Sequence, residues 1–272
     1  LQSNRRGFQL HPHELQERNV ASEIEKAHYK FFYEPIYKTN QNEEYILLDV
    51  LFETHHYPSI QEIPIQSSFL QWELEKLLNV KVPTIEGILG DKLTAFAPNT
   101  TGIPYSKNGT SRSMEIMKQL YDIAHLFDSA TNIEDIRRSF MAIAEVELKY
   151  RNKEAKTPQD VLNDIIQTSL LISSRGTLGQ GDFKAIEDGI QKLRSFVFAE
   201  TIHLDKAITA ASKAAYCASL LLNEGKLLEK YNDPQLIKDW AIEVQPENKL
   251  NKLKKSNPEA FFYWVKAIGN LG

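Results

Sequence analysis

The stretch EYILLDVLFE, residues 44–53, holds one carboxylate, Asp49, at the centre of an otherwise apolar run. Tyr45, Leu47, Asp49, Leu51 and Glu53 alternate with Ile46, Leu48, Val50 and Phe52. That alternation predicts a strand, and apolar residues at both sets of positions predict burial on both faces. A buried carboxylate without a partner is costly. Asp49 is therefore expected to meet a cation, a hydrogen-bond donor or a metal ion.

Two further positions carry candidate chemistry. A helix over 84–97 would place Ile85, Ile88, Leu89, Leu93 and Phe96 on one stripe, with Lys92 inside it. A lysine there either snorkels along the packed face to its edge or reaches an anion such as a phosphate in a cleft. The next helical segment, SMEIMKQLYDIAHLF, brings Glu115, Lys118, Asp122 and His125 to one side. They form either a solvated polar face with a Lys118–Asp122 pair, worth about a few tenths of a kcal/mol, or one wall of a polar cleft.

Other motifs read as structure. RGTLGQGDF, residues 175–183, lacks the lysine of a phosphate-binding loop and joins two helices without a preceding strand, so it reads as a connector. His11, His13, His55 and His56 have no carboxylate at helical ligand spacing. Cys217 lies in the apolar run KAAYCASLLL and reads as a small buried hydrophobe. The basic run KLNKLKKSN, residues 249–257, reads as a solvated face that could touch a nucleic-acid backbone.

The elements that must position these residues change character near residue 105. Before it come period-two segments at 28–37, 44–53 and 62–70, with the polar connector KTNQNE between the first two. Residues 11–27 read as helical, and a helix follows at 84–97, capped by Thr84 and stopped by Pro98. After a loop over 98–111, helices are predicted near 112–128, 132–152, 158–173, 182–198, 204–223, 233–243 and 257–270. No strand signal interrupts them. The expected architecture is α+β and helix-rich: a small mixed sheet portion over 1–105, then a helical domain over 106–272.

Composition fits a globular chain of 272 residues, 42% hydrophobic and 25% charged. The net charge of −4 differs from that of a strongly basic nucleic-acid protein. A single cysteine excludes an internal disulfide framework and a cysteine-rich zinc site. With no run of 18 apolar residues and no signal-peptide pattern, the expectation is a cytoplasmic protein without a membrane partner.

Three stretches together resemble the AbiEii/AbiGii-type nucleotidyltransferase toxin family. YILLDVLFE is similar to the family strand with a central aspartate, EGILGDKLTAFAPN to its lysine-bearing helix, and KQLYDIAHLF to its KDxYD segment. The resemblance implies a polymerase-β-like nucleotidyltransferase fold, followed by a helical bundle. It implies transfer of a nucleotidyl group from an NTP to an RNA, such as a tRNA end, or to a protein hydroxyl. It also implies two Mg²⁺ ions held by carboxylates. Asp49 then corresponds to the third of those carboxylates, Lys92 to a phosphate-contacting lysine, and Lys118 and Asp122 to residues that organise the nucleotide cleft.

The first aspartate of the KDxYD pattern is Gln119 here. No Gly-Gly or Gly-Ser turn and no D-x-D pair precede Asp49. On the resemblance, the sequence is expected to start just after that pair, and without it to lack two of three metal ligands. A cognate antitoxin is the expected protein partner. The competing expectations are a non-catalytic helical interaction module, a degenerate inactive relative, and a plain structural domain.

Overall fold

The structure, a computed structural model, describes residues 9–11, 26–35, 43–66 and 77–272. It is α+β and rich in helix, as expected, and its described strands pair antiparallel. The chain forms two compact units, Leu1–His55 and His56–Gly272.

The first unit holds a three-stranded sheet, β1 (Gln9–His11), β2 (Lys26–Tyr33) and β3 (Glu44–Leu51), in that spatial order. Register pairs His28 with Asp49, Lys30 with Leu47 and Phe32 with Tyr45. The Phe32 and Tyr45 rings meet at 5.7 Å, and Lys30 Nζ sits 4.2 Å from the Tyr45 ring centroid. Such cross-strand pairs stabilise a small sheet.

The expected burial of β3 on both faces is not found. Tyr45, Ile46, Leu47, Leu48, Asp49 and Leu51 are all exposed. A strand apolar on both sides is buried only where a packed layer covers each face. The helix expected over 11–27 and the connector KTNQNE lie largely outside the described residues, as do residues 67–70 of the third expected strand.

The second unit opens with an antiparallel pair, β4 (Ile60–Pro64) and β5 (Asn79–Pro83). Strand β5, which the sequence reading did not anticipate, runs directly into α1 (Ile85–Ala95). Thr84 caps that helix: its Oγ1 accepts from Gly87 N at 3.1 Å. A second unanticipated pair, β6 (Ser106–Lys107) and β7 (Thr110–Ser111), flanks Asn108 and Gly109. Both turn residues have positive φ, 53° and 74°. Asn-Gly is the preferred sequence for such a turn.

The bundle comprises α2 (Ser113–Ser129), α3 (Ile133–Tyr150), α4 (Pro158–Ser173), α5 (Phe183–Leu193), α6 (Leu204–Leu222), α7 (Leu253–Ser256) and α8 (Pro258–Leu271). Local chemistry sets many of their starts. Asn132, Thr157, Asp182 and Asn257 each accept from a first-turn backbone N–H, and Thr157 with Asp160 forms a reciprocal capping box. Helix α6 is buried along most of its length between α4 and α8, where its alanines at 210, 211, 214, 215 and 218 permit close packing. Its Tyr216 packs against Phe127 and Tyr263, and the Phe127 and Tyr263 rings meet edge-to-face at 5.3 Å.

Two helical expectations need correction. Residues 233–243 contain only a 3₁₀ turn, Pro234–Ile237. Side chains take the backbone groups that a helix would have used. Asn251 pairs with both the N–H and the C=O of Ile242, and Lys254 Nζ donates to the carbonyls of Lys238 and Trp240. Helix α5 ends at Leu193 rather than near 198, and Phe196 and Phe198 beyond it are exposed.

Candidate phosphate-contacting site

Helix α1 is seated on α3 through Gly90. A Cβ built there would lie 2.8 Å from Phe140 N and 2.9 Å from Ile136 O, so only glycine permits this approach. Leu89, Leu93 and Phe96 are fully buried in the core. This packing orients the next turn of the helix, and Lys92 leaves it toward α2.

Lys92 Nζ donates to Gln119 Oε1 at 3.0 Å and lies 3.0 Å from Asp122 Oδ2. The Lys92 and Asp122 side chains are 26% and 29% exposed, so the pair is partly sheltered and still open to solvent. The Lys92 stem lies along the packed face, and its ammonium meets Gln119 and Asp122 at the edge.

The preceding residue is also anchored. Asp91 Oδ2 accepts from the Tyr57 hydroxyl at 2.7 Å, and Thr94 Oγ1 donates to the Asp91 carbonyl. Burial, followed by the hydrogen bond to Asp91 and its negative charge, holds the Tyr57 hydroxyl well above the usual phenol range. Beyond α1, the loop over 97–102 is tied to α4 by buried Asp164. That carboxylate accepts from Asn99 N at 2.8 Å, Asn99 Nδ2 at 2.7 Å and Thr100 Oγ1 at 2.9 Å. Lys153 Nζ donates to the Asn99 and Thr100 carbonyls.

Three of the four polar residues expected on one side of α2 engage different partners. Glu115 pairs with Arg112 at 2.8 Å, Asp122 with Lys92, and His125 with Glu200 at 3.2 Å. Lys118 is exposed and forms no ion pair with a described residue. The anticipated Lys118–Asp122 pair is thus replaced by one between helices. Sequence spacing identifies neighbours along a helix but not the group that packing brings from another.

A second polar cluster surrounds a cavity of about 250 Å³ between α2 and α6. There buried Lys213 meets Asp128 at 2.7 Å and Glu259 at 2.9 Å, and Glu200 accepts from Lys206 beside His125. The sequence reading missed Lys213 and Asp164. The one signal for each was a charge inside an apolar helical run.

Asp49 belongs to the first unit and is 57% exposed at its side chain. Its partner is the His28 imidazole, 2.5 Å away on the paired strand. Burial is therefore not what gives this carboxylate a partner. Among the described residues, no three His, Cys, Asp or Glu side chains converge as a metal cage. Asp49 can supply one oxygen ligand to a divalent ion, but the described residues do not compose a full set. Cys217 is buried within α6, and burial pushes its thiol up to about 12, leaving it unreactive.

The glycines of RGTLGQGDF serve the chain's own geometry. A Cβ on Gly179, whose φ is +80°, would lie 2.3 Å from the Gln167 carbonyl oxygen. No described helix is long and apolar enough to cross a membrane. No curated protein and no solved structure matches the chain. A family model described as nucleotidyl transferase AbiEii toxin, type IV toxin–antitoxin system, matches residues 3–214, which include Asp49, Lys92, Gln119 and Asp122, and the chain belongs to that family.

Proposed function

We propose that this chain transfers a nucleotidyl group from an NTP to a hydroxyl of an RNA acceptor, such as a tRNA end, with a protein hydroxyl as the alternative acceptor. In this reaction the acceptor oxygen forms a bond to the α-phosphorus. The bond from that phosphorus to the pyrophosphate oxygen breaks, and the acceptor proton is released. The observation that carries the reading is the Lys92 ammonium, held at the open edge of the α1–α2 contact by Gln119 and Asp122.

An ammonium in that setting suits a triphosphate. It is a compact point charge able to contact oxygens that gain negative charge as pyrophosphate departs. Asp122 holds it before the nucleotide arrives and limits its motion when phosphate oxygens share it. Lys118, exposed on the same helix, adds a second cation for the nucleotide or the acceptor. Asp49 is proposed as a carboxylate ligand of Mg²⁺, which would balance triphosphate charge when bound. Asp49 is one ligand of the set such an ion requires.

Family membership supports a toxin acting beside a cognate antitoxin. The test is to incubate the protein with each radiolabelled NTP and total tRNA, and to follow label transfer in wild type and K92M. Transfer that K92M abolishes supports the reading, and equal transfer by both removes Lys92 from it. A second reading, an interaction module, draws on the exposed apolar residues Ile46, Leu47, Leu48, Leu51 and Phe52. It would be favoured if wild type transferred label from none of the NTPs while charged substitutions at Leu47 and Leu51 abolished toxicity.

A further inference from the structure

The two groups that hold Lys92 differ in charge. Gln119 Oε1 and Asp122 Oδ2 both lie 3.0 Å from Nζ, from residues three apart on α2 and so on one side of that helix. Lys92 donates one of its three N–H groups to Gln119 Oε1, and Asp122 is held to it as an ion pair. An amide oxygen, like a carboxylate oxygen, accepts an N–H and so fixes its direction. Only the carboxylate cancels the ammonium's charge.

With one ammonium and one carboxylate, the trio is neutral. With a carboxylate at 119 it would be negative and would oppose an approaching phosphate. The nearest other acid along α1, Asp91, is engaged by the Tyr57 hydroxyl. Lys118, next to Gln119, is exposed and forms no ion pair with a described residue, so it adds positive charge rather than offsetting an acid.

We propose that Gln119 is a positioning residue: it directs Lys92 Nζ without neutralising it, and so sets the affinity of this site for a triphosphate. The proposal rests on the reading of Lys92 as a phosphate contact. Its particular content is that the missing charge at 119, and not the shape of the side chain there, governs binding.

The experiment is calorimetric titration of the full chain with sodium tripolyphosphate at 50 and 300 mM NaCl, using wild type, K92M, Q119E and Q119M. Q119E keeps the shape and adds the charge. It is expected to bind about tenfold more weakly at low salt, with the deficit shrinking at high salt as screening sets in. Its thermal midpoint should not fall, because the new carboxylate pairs with Lys92. Q119M, which loses the acceptor but adds no charge, is expected to bind about two- to threefold more weakly at both salt concentrations.

Tripolyphosphate binding by Q119E within twofold of wild type, while K92M loses it, would overturn the role of Gln119 and leave Lys92 standing. Equal, salt-independent losses in Q119E and Q119M, with lowered thermal midpoints, would reduce Gln119 to packing and overturn the proposal as well. Wild type and K92M that both fail to bind tripolyphosphate would overturn the phosphate reading itself.

Discussion

Lys92 and Asp122 stand 3.0 Å apart, one from α1 and one from α2, at the edge of a core that buries Leu89, Leu93, Ile123 and Phe127 almost completely. The pair joins two helices and is still open to solvent. It is sited to hold a cation in place more than to stabilise the fold, since partly exposed ion pairs contribute about 0–1 kcal/mol.

Replacing Lys92 by Met should therefore separate binding from stability. Tripolyphosphate affinity is expected to fall at least about tenfold, the scale of a lost charge-assisted contact. Unfolding free energy should change by no more than about 1 kcal/mol. Calorimetric titration and urea denaturation of the same preparation check both. A stability loss several times larger would make Lys92 chiefly structural.

Gly90→Ala should destabilise the second unit by about 1–3 kcal/mol, although alanine is the better helix former. The added methyl would meet backbone atoms of α3 at Phe140 and Ile136, which cannot move without shifting that helix. Urea denaturation reads the loss. Because the same contact orients Lys92, tripolyphosphate affinity is expected to fall in the folded variant too.

Asp164→Ala should cost about 1–3 kcal/mol, because it leaves the buried Thr100 hydroxyl and the part-buried donors of Asn99 without their acceptor. Amide hydrogen exchange should show the loss locally, with protection at Asn99 collapsing before that of the helical core. Unchanged exchange at Asn99 would mean that the loop over 97–102 is held by Lys153 instead.

Glu86 provides a pH-dependent contribution. Burial pulls its carboxyl up, but hydrogen bonds from Thr131 N, Asn132 N and Thr131 Oγ1 outweigh this and leave it below the usual glutamate value. A lowered folded-state value means stability that is present above the unfolded value, about 4.3, and lost as pH falls through the folded one. Wild type should thus exceed E86Q in stability at pH 7, and the gap should close as pH falls below about 4. Thermal melts of both proteins from pH 7 to pH 3 test the sign, and a gap that widens on acidification would contradict it.

The parts of this fold legible in the sequence are those decided within a few residues. Thr84, Thr157 and Asn257 act on N–H groups of the following turn, and α4 spans 158–173 as its spacing predicts. The turn between β6 and β7 was equally local, and its Asn-Gly signal was readable. Residues 233–243 were not legible, because Asn251 and Lys254, more distant in the chain, take their backbone groups.

By itself, the sequence determined the helix-rich α+β class, most helix boundaries, and the residue types at 49, 92, 118 and 122. Caps, periodicity and motif identity are local properties of the chain. Tertiary structure alone decided that Lys92, not Lys118, faces Asp122, that Gln119 shares the ammonium, that β3 is exposed, and that Asp49 meets His28. Those outcomes depend on which helix or strand packs beside which, and at what register. That is set by the summed burial and close approach of many distant residues, Gly90 against α3 among them, and no short window of sequence contains it.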